Sequence, residues 1–411
     1  MAASAANGGR AVIPEAYVKA GYGRLEIVLG RRKETIGLAD TSLGTGAFIW
    51  SGNALPIPQL QVSIPAFTPV PFTAGILSIQ GSFSHGWFNN LGPVTHSYLH
   101  RKTLYGRLSP PGWPVRFYAG FNHQVQWGGR SDVLQDTTII KRGRFPDRFP
   151  DYVNVVTGAS LGYDKTVDTA RYSFVDRYNR IGNHLGTIDL GIEADLGSFS
   201  LFLYRQSIYE DGSLYYLINI ADGLNGIRLR NLRSASKLWQ IKSIVLDFLH
   251  TKSQGGPKFG DKDWERGADN YFNHSQYIDG WSYGGQAIGT PFMTPAADSR
   301  AELPRYQTRG KTGFFNNNRV KVFHLGLEGF YKNRYGIRLK VSVSENWGTY
   351  PAPFQKPVRQ VSLWCSAGGP VKLFGTTQAD ISLSADRGKL YRSTTAIQIR
   401  LRKDLEWTVR R

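Results

Sequence analysis

Residues able to do chemistry concentrate between positions 252 and 317, where Trp264, Tyr271, Phe272, Tyr277, Trp281 and Tyr283 are interspersed with Asp261, Asp263, Glu265, Asp269, Asn270, Asn273 and Asp279. Aromatic rings stack on the apolar faces of sugars while carboxylates and amides take the hydroxyls, so this mixture suits a polysaccharide site. The same rings could instead pack on one another as a self-contained lid, and that reading carries more weight. Two carboxylates at a suitable separation could cleave a glycosidic bond, but spacing along the chain fixes no such pair. The chain is therefore expected to be non-catalytic and to use no cofactor.

A second group is basic. Arg338, Lys340, Lys372, Arg392, Arg400, Arg402 and Arg410 fall on the polar face of the last strand-like segments, among Asp380, Asp404 and Glu406. They could form an inner wall that attracts an acidic polysaccharide, or a network of ion pairs that stiffens a closed interior. The interleaved acids favour the network. Eight histidines are scattered without an HExxH or similar spacing, so no metal site is expected.

The elements that must carry these residues are strands. From Val322 to Val343, Phe323, Leu325, Leu327, Ile337, Leu339, Val341 and Val343 alternate with His324, Gly326, Glu328, Arg338, Lys340 and Ser342 around a turn at Asn333–Gly336. The same period of two runs through 76–87, 187–206 and 371–383. It continues from Arg392 to Arg410 as one long final segment. Globular strands average about 5 to 6 residues. Strands this long, with short turns at one end and long polar connections at the other, predict an all-β transmembrane antiparallel barrel of about 16–18 strands, apolar face to lipid and polar face to the lumen. Trp87, Tyr331, Tyr391 and Trp407 lie near segment ends, where interfacial anchors belong.

Composition agrees. The chain holds 46 Gly, 21 Tyr, 22 Phe and 10 Trp but 2 Met, a balance that favours sheet over helix. Mean hydropathy is −0.32, and no apolar run approaches the roughly 18 residues of a membrane-spanning helix. The single Cys365 excludes an intramolecular disulfide framework. Residues 1–10 lack the apolar run of a secretory signal, so an exported chain is expected to be a mature form behind an added Met, or incomplete at its start. Net charge is +19, which points to a polyanionic partner. The whole chain, 1–411, reads as one barrel. Two segments interrupt the alternation: 31–58, a plug or periplasmic segment, and 252–317, a long extracellular loop that could cover the mouth.

Three stretches carry a family resemblance: WSGNALPIPQLQVSIP (50–65), LHRKTLYGRLSPPGWPVRFYAGFNHQVQWGG (99–129) and RIGNHLGTIDLGIEADLGSFSLFLYRQSIYEDGSLYYLINIADGLNGI (180–227). Together they resemble the Wzi family of capsule assembly proteins in its Bacteroidetes form. The resemblance implies an outer-membrane β-barrel of about eighteen strands in the sense of such barrels, closed by external loops and a periplasmic plug. It also implies a lectin-like, non-catalytic role in attaching capsular polysaccharide to the cell surface. The expected partners are outer-membrane lipid and lipopolysaccharide, a surface polysaccharide and other outer-membrane proteins, with no nucleic acid. A structural subunit of a larger assembly and a porin are the alternatives. The chain departs from the usual barrel pattern at its end, where Trp407-Thr408-Val409-Arg410-Arg411 replaces a terminal aromatic residue.

Overall fold

The computed structural model describes residues 2–4, 10–162, 167–210, 213, 217–233, 238–258, 267–373 and 376–403. Fifteen of the strands among them form one sheet. In chain order these are β1 (Ala16–Tyr22), β2 (Leu25–Arg31), β3 (Gln59–Pro69), β4 (Leu77–Trp87), β5 (Tyr98–Leu108), β6 (Val115–Trp127), β7 (Asn183–Leu196), β8 (Phe199–Glu210), β9 (Gly223–Asn231), β10 (Trp239–His250), β11 (Val320–Tyr331), β12 (Tyr335–Gly348), β13 (Pro353–Lys372), β14 (Thr376–Gly388) and β15 (Thr394–Arg402). Each pairs antiparallel with the strand next in sequence, so the sheet is a simple meander with β1 and β15 at its edges.

The alternation sorts side chains as the sequence indicates. On β11 and β12 the pairs Phe323↔Val343, Leu325↔Val341 and Leu327↔Leu339 share one face, and His324↔Ser342, Gly326↔Lys340 and Glu328↔Arg338 share the other. The apolar face is exposed: Phe323 is 64% accessible, Leu104 57%, Ile397 72% and Ile399 68%. A band of this kind across the whole sheet exceeds what a soluble monomer tolerates. Hydrocarbon is the medium that suits it, because the ladder pairs the backbone amides that lipid cannot.

The sheet has fifteen strands among the described residues, beside the 16–18 expected from alternation, and β13 alone runs unbroken for 20 residues. At one end the connections are short, such as Gly197-Ser198 between β7 and β8, and Lys332-Asn333-Arg334 between β11 and β12. At the other end lie the long ones: 32–58, 128–182 and 251–319. In outer-membrane barrels the long loops face outward and the turns face the periplasm. Segment 31–58 therefore springs from the long-loop end, not from the periplasmic turns.

Candidate functional site

The concave face of the sheet is filled. Segment 32–58 folds into it and is held by polar side chains from strands far apart in sequence. Asp189 on β7 accepts from the Leu38 amide (2.9 Å), and Gln206 on β8 from the Phe48 amide (3.0 Å). Asp247 on β10 accepts from both the amide and hydroxyl of Thr45 (2.8 and 3.1 Å) and from the Tyr204 hydroxyl (2.5 Å). His324 on β11 meets the Leu43 carbonyl at 2.6 Å. One segment thus touches inward side chains from β7 to β11, which shows how far the sheet curls around it. Gly326 on β11 makes the closest approach: a Cβ there would stand 2.3 Å from the Leu43 carbonyl oxygen. Only glycine lets the plug lie against that strand.

Above the plug, the described residues of 251–319 (251–258 and 267–319) pack as a lid. Phe48, Ile49 and Trp50 of the plug are 0–4% accessible and share a core with Tyr271, Phe272, Trp281, Met293 and Phe315 of the lid. The Trp281 indole donates to the Ile49 carbonyl (2.9 Å), and its ring lies 6.4 Å from that of Trp50. Backbone bonds join the two layers as well: Ser51 to Ile288 (3.1 Å) and Thr290 to Phe48 (2.8 Å). Plug and lid share one core on the concave face of the sheet at its long-loop end.

Below the plug a polar cavity of about 560 Å³ remains toward the turn end. Its walls carry Glu26, Arg32, Glu34, Arg101, Glu193 and Arg228 beside the rings of Phe67, Tyr118 and Phe202. Arg101 is 1% accessible, reaches Glu34 (2.7 Å) and Gln61 (2.5 Å), and lies over the Trp50 ring at 4.9 Å. Burial alone would raise the Glu34 carboxyl; Arg101 and Arg32 outweigh it and hold the group below the ordinary range. Arg101→Met is expected to loosen the plug by about 3 kcal/mol, the lower end for breaking a buried pair, because Arg32 still faces Glu34. Hydrogen exchange of residues 34–50 would check this, and unchanged protection would count against it.

The structure corrects the sugar platform expected in the loop. Tyr271 and Trp281 belong to the lid core and Tyr277 to a neighbouring core with Val94, Ile139 and Phe145; all three are 0–1% accessible, so none presents a ring face to a ligand. Asp269 is half-buried and accepts from the Asn219 amide (2.5 Å). Asp261, Asp263, Trp264 and Glu265 lie outside the described residues, as do Asp404, Glu406, Trp407 and Arg410. Of the basic residues, Arg338 and Lys340 do face the lumen, and Arg338 pairs with Glu328 at 2.9 Å. Arg400 stands opposite Asp380, and Arg402 opposite Gln378. Lys372 sits at the turn-end lip of β13. Arg392 is not on a strand: it lies in the connection between β14 and β15, where the chain must turn. Its neighbour Tyr391 is no membrane anchor either, because its hydroxyl meets Thr294 of the lid at 3.2 Å.

One grouping was not legible by spacing. His85, His100, Lys102, His123 and His184 all fall on the outward face of β4–β7, where lipid would be costly for them. His85, His100 and Lys102 are covered by α1 (Phe149–Thr157), a helix of the 128–182 excursion that lies on the outside of the wall. Tyr152 of α1 packs 5.7 and 5.6 Å from the rings of His85 and His100, and the Lys102 ammonium donates to the Val156 carbonyl. His123 and His184 bond each other at 2.9 Å. Among the described residues no cluster of His, Cys, Asp or Glu is arranged to hold a metal ion.

The rim loop 88–97 meets the lid through Asp279, which accepts from the Val94 amide (3.1 Å). Burial pushes this carboxyl up to about 6 from the ordinary 3.8. The folded form then holds its proton more tightly than the unfolded form, so the local stability is greatest below pH 3.8 and falls as pH rises through about 6, the burial of the charge outweighing the Val94 bond that favours it. Protection of 88–97 and 277–283 against hydrogen exchange, corrected for intrinsic rates, is expected to be higher at pH 5 than at pH 8. Asp279→Asn should abolish the difference; a wild type with equal protection at both pH values would refute it.

No protein-family model matches the chain, and no curated protein matches it. Among solved structures it is similar to Wzi of Escherichia coli, described as an outer-membrane protein involved in group 1 capsule assembly and a carbohydrate-binding β-barrel, with a TM-score of 0.56 and 13% identity over 95% of this chain and 70% of that one. It is also similar to OmpT of Vibrio cholerae (TM-score 0.31, 7% identity, 95% and 78% covered) and to BamA from Haemophilus ducreyi (0.38, 12%, 91% and 64%), both too distant to carry weight. The first likeness establishes the fold, that of an outer-membrane β-barrel.

Proposed function

We propose that this chain is a non-catalytic outer-membrane barrel that binds an acidic surface polysaccharide on its long-loop face. The observation that carries the reading is the fused core of plug and lid. A barrel whose mouth is filled by Phe48, Trp50, Tyr271 and Trp281 offers no wide aqueous path, so its outer surfaces must do the work. The fold likeness to a carbohydrate-binding barrel supports this choice, and so does charge. The loop face carries exposed cations, among them Arg309 and Lys311 on the hairpin 307–312, which suits a polyanion and makes binding sensitive to salt.

The test is binding of detergent-purified protein to capsular polysaccharide from its own source, across a salt series. Affinity is expected to fall as salt rises, and to fall about threefold or more in Arg309→Gln/Lys311→Gln, where two surface charges of modest individual worth are removed. Arg309 does pair with Asp136 at 2.8 Å, but an exposed pair contributes little to folding. A folded barrel that ignores every capsule fraction would sink the proposal and leave a structural subunit as the better reading.

A further inference from the structure

We infer that the outer wall of the barrel carries a binding site for a phosphorylated glycolipid of the outer leaflet, built by the 128–182 excursion. The site is a cleft of about 330 Å³ whose walls include Lys141, Arg142, Arg144, Arg148 and Arg171, against Asp147 and Asp168. Five cations face two carboxylates. Arg171 is committed to the buried Asp151, which also accepts from Tyr172 (2.7 Å). Among the described residues Lys141, Arg142, Arg144 and Arg148 have no ion-pair partner. Several unpaired cations in one cleft match a headgroup bearing more than one phosphate, since guanidinium groups bind phosphate oxygens in pairs.

The backbone holds charge here against its own preference. Arg142 and Gly143 both adopt left-handed conformations (φ 52° and 69°) in a tight turn bridged by Lys141 and Arg144. Such a turn takes Asn-Gly most readily. A guanidinium-bearing residue at its first position is strained backbone of the kind that accumulates at binding sites.

The second half of an amphiphile is provided for next to the cleft. Helix α1 begins directly after Arg148, and its buried side, with Val155 and Tyr152, covers the histidine patch on the wall. On its other side Phe149 (77% accessible) and Val153 (45%) stand four residues apart, hence one above the other. They face away from the wall toward the medium that also meets Leu104 and Phe83, which are lipid-facing residues of the band. The cleft is thus at headgroup height and the apolar pair beside the acyl chains. Elsewhere at the long-loop end Trp347 is flanked by Lys252 (4.5 Å) and Lys321 (5.7 Å), a pairing typical of the interface. Its position at the long-loop end places the site in the outer leaflet, where the phosphorylated lipid is a glycolipid.

The experiment compares wild type with Arg142→Glu/Arg144→Glu and Phe149→Ser, each confirmed as folded by heat-modifiable gel mobility. Retention of lipopolysaccharide is measured by native mass spectrometry and by flotation with lipopolysaccharide vesicles, with phosphatidylglycerol vesicles and inorganic phosphate as separate arms. Wild type is expected to retain lipopolysaccharide through detergent exchange, and the charge-reversal variant to lose it by about tenfold or more. Phe149→Ser should weaken lipopolysaccharide binding while leaving any response to inorganic phosphate unchanged. Equal retention by wild type and the charge-reversal variant would overturn the site, as would equal binding of phosphatidylglycerol, or binding of inorganic phosphate that added lipopolysaccharide does not displace. Capsule binding by Arg142→Glu/Arg144→Glu, measured in the same detergent, separates failure here from failure of the polysaccharide reading.

Discussion

Replacing residues 32–57 with a five-residue turn will convert a silent barrel into a conducting one. The graft is feasible because Gly30 on β2 already pairs with Gln59 on β3, so the strand ends it must join are adjacent. Strand pairing should survive, since the wall is held by its own ladder and not by the plug. What goes is the filling: the contacts of Leu38, Thr45 and Phe48 with Asp189, Asp247 and Gln206, and the burial of Phe48, Ile49 and Trp50 under the lid. Each such side chain contributes about 1.5 to 3 kcal/mol when fully buried, so the lid loses much of what fixes it. Planar-bilayer recordings should show no discrete steps for the wild type and clear openings for the graft. Gly326→Val makes the same point more gently, because its side chain would have to displace Leu43. Steps of equal size in wild type and graft would mean that the native lumen is open and that a porin is the better description.

How much of this was written in the sequence differs between wall and filling. Strand alternation is a local property, and it placed Phe323, Leu325, Arg338 and Lys340 on the faces they occupy. The same rule held clues that spacing arguments pass over. Asp189, in line with Glu193 and Asp195 on β7, and Asp247, the one carboxylate of β10, stand on lumen-facing positions, and each proved to be an anchor for the plug. His85, His100 and Lys102 are polar at lipid-facing parity, an arrangement that requires a cover; the cover is α1. Neither the plug's contacts nor the helix could be derived from periodicity, because both depend on which residues far apart in sequence the curled sheet brings together. The lid was the hardest part. Its Trp and Tyr residues suit a sugar site and a small core equally well by type, and only burial separates the two.

That distinction decides what Trp281→Ala will do. The indole is fully buried, bonds Ile49 through its ring nitrogen and packs against Trp50 and Phe88 (6.1 Å). Truncation leaves a cavity between lid and plug and an unpaired carbonyl, at a cost of about 3 to 5 kcal/mol. The cost falls on the lid and not on the wall, so the variant should still migrate as a folded barrel while limited proteolysis cuts 267–317 at least tenfold faster, the factor that about 1.4 kcal/mol of local opening already supplies. Any loss of polysaccharide binding in this variant would follow from the disordered lid. Trp281→Phe restores most of the packing but not the hydrogen bond, so it should recover protease resistance in part and binding in the same proportion. If Trp281→Ala lost binding with its lid as resistant as the wild type, the ring would be a direct contact and the lid core would have to open to admit the sugar.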